Sequence, residues 1–129
     1  MPATRPNILL IEDDEDLRDA FRDLFEDEGY NVWTAANGKE ALDCLRSRGR
    51  ACLIFLDLMM PVMNGWEFRA EQERDPVLAQ IPVVVCTADT HAERKAREIG
   101  AAAWLPKPTD ATDLVRIAQV FCRPSHVTE

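Results

Sequence analysis

Leu53-Ile-Phe-Leu-Asp-Leu-Met-Met-Pro-Val-Met-Asn-Gly65 is the stretch on which the reading of this chain turns. An unbroken apolar run, Leu53 to Leu56, meets a single carboxylate at Asp57. Leu58, Met59 and Met60 then lead to Pro61 and to Asn64-Gly65. A run of this kind reads as a strand buried on both faces, which puts Asp57 at its carboxyl edge. In an open parallel α/β sheet that edge is where ligands bind. A carboxylate there serves as a metal ligand, as a nucleophile or as the cap of the next helix. Capping suits Asn64 better, because Asn64-Gly-Trp-Glu67 has the capping-box spacing and Pro61 separates it from Asp57. Asp57 is left for chemistry.

Working outward, the same strand-then-helix alternation recurs on both sides. Asn7 to Ile11 is a second apolar run, ending abruptly in Glu12-Asp-Asp-Glu-Asp16. Leu17, Ala20, Phe21, Leu24 and Phe25 follow at helical spacing as far as a Gly29 stop. Tyr30 to Ala36 reads as a strand with Val32 and Thr34 on one face and Trp33 on the other. Asn37-Gly-Lys-Glu40 repeats the capping-box spacing ahead of Ala41, Leu42 and Leu45. Beyond Asp57, Trp66, Phe68 and Ala70 open a helix that fades at Asp75-Pro76, and Ile81 to Cys86 is a fourth strand ending at Thr87. Thr90-His-Ala-Glu93 is read as a third capping box, with Ala96 and Ile99 behind it and a Gly100 stop. Ala101 to Leu105 is a short fifth strand ending in Pro106-Lys-Pro108. Leu114, Ile117, Ala118 and Phe121 define a last helix that starts near Asp110 and halts before Pro124. Five alternations imply a doubly wound parallel sheet, helices on both faces, right-handed crossovers and one domain over residues 1–129. Its core spans about 6–123, and a short polar tail runs from Ser125 to Glu129.

Bulk properties narrow the function. Fifteen basic against 23 acidic side chains leave a net charge of −8, which argues against nucleic acid or an anionic membrane as partner and favours a protein or a cation. No apolar run approaches the roughly 18 residues of a membrane span. Met1 to Pro6 lacks a secretory signal's apolar core, so the chain reads as cytosolic. Cys44, Cys52, Cys86 and Cys122 are scattered without ligand spacing; the expectation is buried thiols, with neither zinc nor a disulfide.

Parallel strands present their carboxyl ends on one edge, so Glu12, Asp13, Asp57, Thr87 and Lys107 converge in one crevice. Three carboxylates against one ammonium repel one another unless a divalent cation enters. Oxygen-only ligands favour a hard ion such as Mg²⁺, which uses one or two carboxylates together with waters and phosphate oxygens.

These residues resemble the receiver domain of bacterial two-component response regulators, over nearly the whole chain. The resemblance rests on Ile8-Leu-Leu-Ile-Glu-Asp-Asp14, Leu56-Asp-Leu-Met-Met-Pro-Val-Met-Asn-Gly65, Val83-Val-Val-Cys-Thr-Ala88 and Gly100-Ala-Ala-Ala-Trp-Leu-Pro-Lys-Pro108, all in order. It implies a flavodoxin-like (βα)5 fold with strand order 2-1-3-4-5. It also implies that Asp57 accepts a phosphoryl group from a sensor histidine kinase or a histidine phosphotransfer protein. Asp13 would hold Mg²⁺ directly, Glu12 through water, with Asp57 and the backbone carbonyl of Met59 completing the protein's share. Lys107, the Thr87 hydroxyl and the backbone N–H of Ala88 would bind the phosphoryl oxygens. Thr87 and Trp104 would form the switch, and the face made by the fourth helix, fifth strand and last helix would meet the downstream protein. The domain would catalyse only its own phosphorylation and dephosphorylation.

Departures from the family pattern are the apolar Met59, Asp89 two residues past Thr87, Thr109 after Lys107-Pro108, and tryptophan at position 104 where tyrosine or phenylalanine is usual. The competing reading is a Mg²⁺-dependent phosphatase of haloacid-dehalogenase type with an aspartate nucleophile. Those enzymes carry a general-acid aspartate two residues later, and here Met59 stands there. A flavin carrier of the same fold would want a Gly-, Ser- or Thr-rich phosphate loop after the first strand, where Glu12 to Asp16 would repel phosphate.

Overall fold

The computed structural model describes residues 5–123. Its elements run β1 (Asn7–Ile11), α1 (Glu15–Asp27), β2 (Asn31–Ala35), α2 (Gly38–Arg48), β3 (Leu53–Leu56), α3 (Gly65–Arg74), β4 (Val83–Thr87), α4 (Ala92–Glu98), β5 (Ala103–Pro106) and α5 (Ala111–Phe121). A single 3-10 turn at Leu78–Gln80 precedes β4. All strand pairings are parallel, in the order β2-β1-β3-β4-β5. This is the flavodoxin-like order, with a switch point between β1 and β3. The expected polar tail from Ser125 lies outside the described residues.

The sequence pattern of each strand follows from its place in the sheet. Every residue of the central strands β3 and β4 is buried, whereas the edge strand β5 alternates and the edge strand β2 is mostly half-buried or exposed. On one face Leu9, Ile11, Ile54, Leu56, Val83 and Val85 pack against α2, α3 and α4. On the other, Ile8, Leu10, Leu53, Phe55 and Val84 pack against α1 and α5, and Phe25 stacks on Phe55 at 4.9 Å between ring centroids. Val32 joins this second face and Trp33 the first, as the alternation predicts. Ala20 departs from its expected place: it is exposed, because the buried stripe of α1 is narrower than its apolar spacing suggests.

Helix starts are set by short polar side chains. Asn64 and Glu67 form a reciprocal capping box, at 2.9 and 3.0 Å. Asn37 accepts from the Glu40 N–H, but the Glu40 carboxylate reaches back to the Ala36 N–H instead of completing the box. The third expected box does not form. His91 occupies the N-cap of α4, one residue past Thr90, with no side-chain cap bond, and Asp89 accepts from the His91 N–H at 2.7 Å, a side-chain turn that forms ahead of the helix.

The cysteines correct the sequence reading most plainly. Cys52 and Cys122 form a disulfide, with Cα atoms 5.9 Å apart at a sequence separation of 70. Scattered spacing concealed a pair that only the fold brings together, where the lead into β3 passes beneath the end of α5. Cys86 is a buried thiol as expected, and Cys44 is half-buried on α2.

Candidate functional site

The carboxyl edge of the sheet brings Glu12, Asp13, Asp57 and Lys107 together, with Thr87 at the end of β4. Glu12 follows β1 and is 2 % exposed; Asp57 follows β3 and is 6 % exposed. Both are pinned by the ladder itself: the Glu12 N–H donates to the Ala35 carbonyl, and the Asp57 N–H to that of Ile11. Asp13 beside them is exposed. One carboxylate oxygen from each of Glu12, Asp13 and Asp57 lies within 4.8 Å of the others. An all-oxygen, all-anionic donor set of this size fits a hard divalent cation such as Mg²⁺.

Lys107, carried in from the end of β5, closes the crevice. Its Nζ donates to Glu12 Oε1 at 2.5 Å and to Asp57 Oδ2 at 3.2 Å. Its backbone N–H donates to the Thr87 carbonyl, which ties the loop to β4, and the Lys107–Pro108 peptide is cis. Burial pushes the Glu12 carboxyl above its ordinary range, against the opposing hydrogen bonds from Lys107 and the Asp14 N–H. For Lys107, burial pulls the ammonium down, but the bond to Glu12 and the charge of Asp57 outweigh it and the net shift is upward. The amine is therefore kept as a cation next to the carboxylate it serves.

Asp57 Oδ1 accepts from the Met59 N–H at 3.1 Å, which orients the carboxylate and turns the loop so that the Met59 side chain points into solvent, 62 % exposed. Gly65 allows this loop to close. A Cβ there would lie 2.8 Å from Leu58 Cα and 3.0 Å from the Asp57 carbonyl oxygen, closer than packed atoms tolerate. Thr87 is buried at the end of β4, its hydroxyl accepting from the Asp89 N–H at 3.3 Å, and Ala88 beside it is exposed. Trp104 lies on the edge strand, 39 % exposed, against a depression of about 430 Å³ that it shares with Ala88, Thr90, His91 and Pro106.

Among the departures, Asp89 is engaged by Lys95, whose hydrogen bond holds its carboxyl below the usual range. Thr109 donates its hydroxyl to the Pro106 carbonyl at 2.9 Å, folding the loop back before Asp110 caps α5. Sequence reasoning missed Arg18, whose guanidinium donates to the Glu12 carbonyl at 3.0 Å. It also missed a mainly apolar depression of about 380 Å³ beside Lys107, lined by Leu17, Phe21 and Pro108. Leu17 and Phe21 carried only a helix-face signal, and Arg18 gave none.

The sequence profile of the response regulator receiver domain matches residues 8–119. The chain belongs to the response regulator receiver domain family. Chemotaxis protein CheY4 of Vibrio cholerae superposes with a TM-score of 0.83 at 31% identity, over 92% of this chain and 99% of that one. The receiver domain of the Pseudomonas aeruginosa sensor histidine kinase PA1611, solved with a magnesium ion in its active-site cleft, gives 0.80 at 26% identity, over 92% and 98%. Transcriptional regulatory protein CpxR of Escherichia coli is 37% identical over 125 residues, 95% of this chain and 51% of CpxR. The receiver chain thus spans about half the length of that relative. Receiver domains act with histidine kinases or phosphotransfer proteins and downstream targets and are not enzymes in the ordinary sense. The acidic pocket of Glu12, Asp13 and Asp57 fits both Mg²⁺ and a phosphoacceptor aspartate. No helix among the described residues is long and apolar enough to cross a membrane.

Proposed function

We propose that Asp57 is the phosphoacceptor, taking a phosphoryl group from a phosphohistidine. The observation that carries this reading is the Lys107 ammonium held between Glu12 and Asp57, next to three convergent carboxylates. A carboxylate oxygen of Asp57 attacks phosphorus in line; the new O–P bond forms as the P–N bond breaks, and the electron pair leaves with the imidazole nitrogen. Glu12, Asp13, Asp57 and the Met59 carbonyl would hold Mg²⁺, which supplies charge neutralisation on the transferring group. Lys107 neutralises a further phosphoryl oxygen, and the Thr87 hydroxyl and Ala88 N–H donate to the others.

Thr87 must turn its hydroxyl toward the new anion and give up the bond from Asp89. That movement frees room behind β4 for Trp104 to turn inward, and the face of α4, β5 and α5 then differs between the two states. Each partner shifts the balance by its differential affinity. With a net charge of −8 this face is expected to meet protein and not nucleic acid, in the cytoplasm where histidine kinases use ATP. The domain organisation is read as a single receiver unit.

Acetyl phosphate with Mg²⁺ should label wild type at Asp57, and EDTA or Asp57→Asn should abolish the label. Labelling that survives both would refute the assignment. In protein carrying Trp33→Phe and Trp66→Phe, beryllofluoride with Mg²⁺ should change Trp104 emission, and Thr87→Ala should diminish that change.

A further inference from the structure

The disulfide lies at the opposite edge of the sheet from Asp57, and phosphoryl chemistry makes no use of it. Its two cysteines differ in exposure. Cys122 is 5 % exposed beneath the end of α5, whereas Cys52 is half-buried and opens onto a surface depression of about 380 Å³. Arg5 and Arg50 line that depression, together with Pro6, Asn7 and Ala51, so it carries two guanidinium groups and no carboxylate. Such a surface attracts small anions. The remaining thiols do not compete: burial pushes Cys86 up to about 12 and also raises Cys44, which lies on the other face of the sheet. Disulfides in reducing compartments are rarely permanent, and those that occur there are usually exchanged.

We propose that Cys52 and Cys122 form a reversible thiol–disulfide site. Cys52 is the exchanging sulfur, and a carboxylate-bearing low-molecular-weight thiol, the class that includes glutathione, is its co-reactant. In reduction the thiolate RS⁻ attacks Cys52 Sγ and the Cys122 sulfur leaves with the electron pair, taking a proton. A second RS⁻ attacks the mixed disulfide, releasing RSSR and the Cys52 thiolate. Two electrons pass from two RSH to the protein, and oxidation by RSSR is the reverse. The exchange acts on α5. Cys122 caps that helix, and its carbonyl accepts from the Tyr30 hydroxyl at 2.6 Å, so reduction leaves one hydrogen bond where there had also been a covalent tie.

The test equilibrates the reduced full chain in buffers of decreasing glutathione to glutathione-disulfide ratio, quenches with an alkylating agent and maps the peptides. The Cys52–Cys122 cross-link should appear as the ratio falls and vanish when it is restored, with Cys44 and Cys86 alkylated throughout. Cys122→Ser should accumulate a glutathione adduct at Cys52. Arg50→Glu should slow reduction by glutathione about threefold or more without slowing reduction by the cationic thiol cysteamine. Amide exchange over residues 118–122 should quicken in the reduced protein. Four alkylated thiols at every ratio, a cross-link that no ratio reverses, an adduct on Cys44 instead of Cys52, or equal slowing of both thiols by Arg50→Glu would overturn the proposal.

Discussion

The two edges of one sheet are built on opposite principles. At the carboxyl edge three carboxylates crowd within 4.8 Å and a single ammonium is shared between two of them, so the ground state retains repulsion that a cation and a phosphoryl group would relieve. At the amino edge no such conflict is stored. Tyr30 is fully buried, its hydroxyl satisfied by Cys122, its ring edge-on to Phe25, and a disulfide closes the same corner. The lesson is a division of labour: one edge holds the groups for phosphoryl chemistry in place, and the other ties α5 to the sheet by contacts and a disulfide that do not depend on them.

If the edges are separable, variants at one should leave the other's property intact. The largest effect is expected from Asp57→Asn, with complete loss of acetyl phosphate labelling and a thermal midpoint close to that of wild type. A large fall in midpoint would break the comparison. Conversely, Cys122→Ser should cost about 4 kcal/mol of unfolding free energy, the chain-entropy value for so long a loop, while Mg²⁺-dependent labelling persists. Denaturant titration alongside a labelling assay reads both quantities.

Gly65→Ala sharpens the boundary, because Gly65 presses against the backbone of Leu58 and Asp57 and so belongs to both properties. It should cost about 2 kcal/mol through overpacking and slow labelling about tenfold as Asp57 is displaced. The smallest effect is expected from Tyr30→Phe, about 1 kcal/mol at neutral pH for the lost bond to Cys122. Burial raises the Tyr30 phenol to about 12 in the folded state, above its unfolded value near 10. Its contribution is therefore full below about pH 10 and is lost as pH rises toward 12. Wild type should lose more stability over that window than Tyr30→Phe, and equal alkaline losses would show that the phenol does not titrate with unfolding.

Much of this was legible in the chain itself, for physical reasons. A parallel sheet buried on both faces needs continuous apolar runs, and those of β1, β3 and β4 declared themselves together with the polar residue that ends each one. Because parallel strands all end on one edge, the sequence alone places Glu12, Asp13, Asp57, Thr87 and Lys107 in one crevice. Turn glycines and the Asn64 cap were equally plain, since both are local chemistry. What failed was local reading where a neighbour competes: α4 starts from His91 and not Thr90, after a turn in which the Asp89 carboxylate accepts from the His91 N–H. What could not be read at all was contact across sequence. Arg18 over the Glu12 carbonyl, the apolar hollow beside Lys107, and above all the Cys52–Cys122 pair depend on how α1 and α5 lie over the sheet. The sequence by itself determined the alternation of elements and the chemistry of the carboxyl edge. Only the tertiary structure decided which distant side chains meet, because periodicity reports the face a residue turns to and never the partner waiting there.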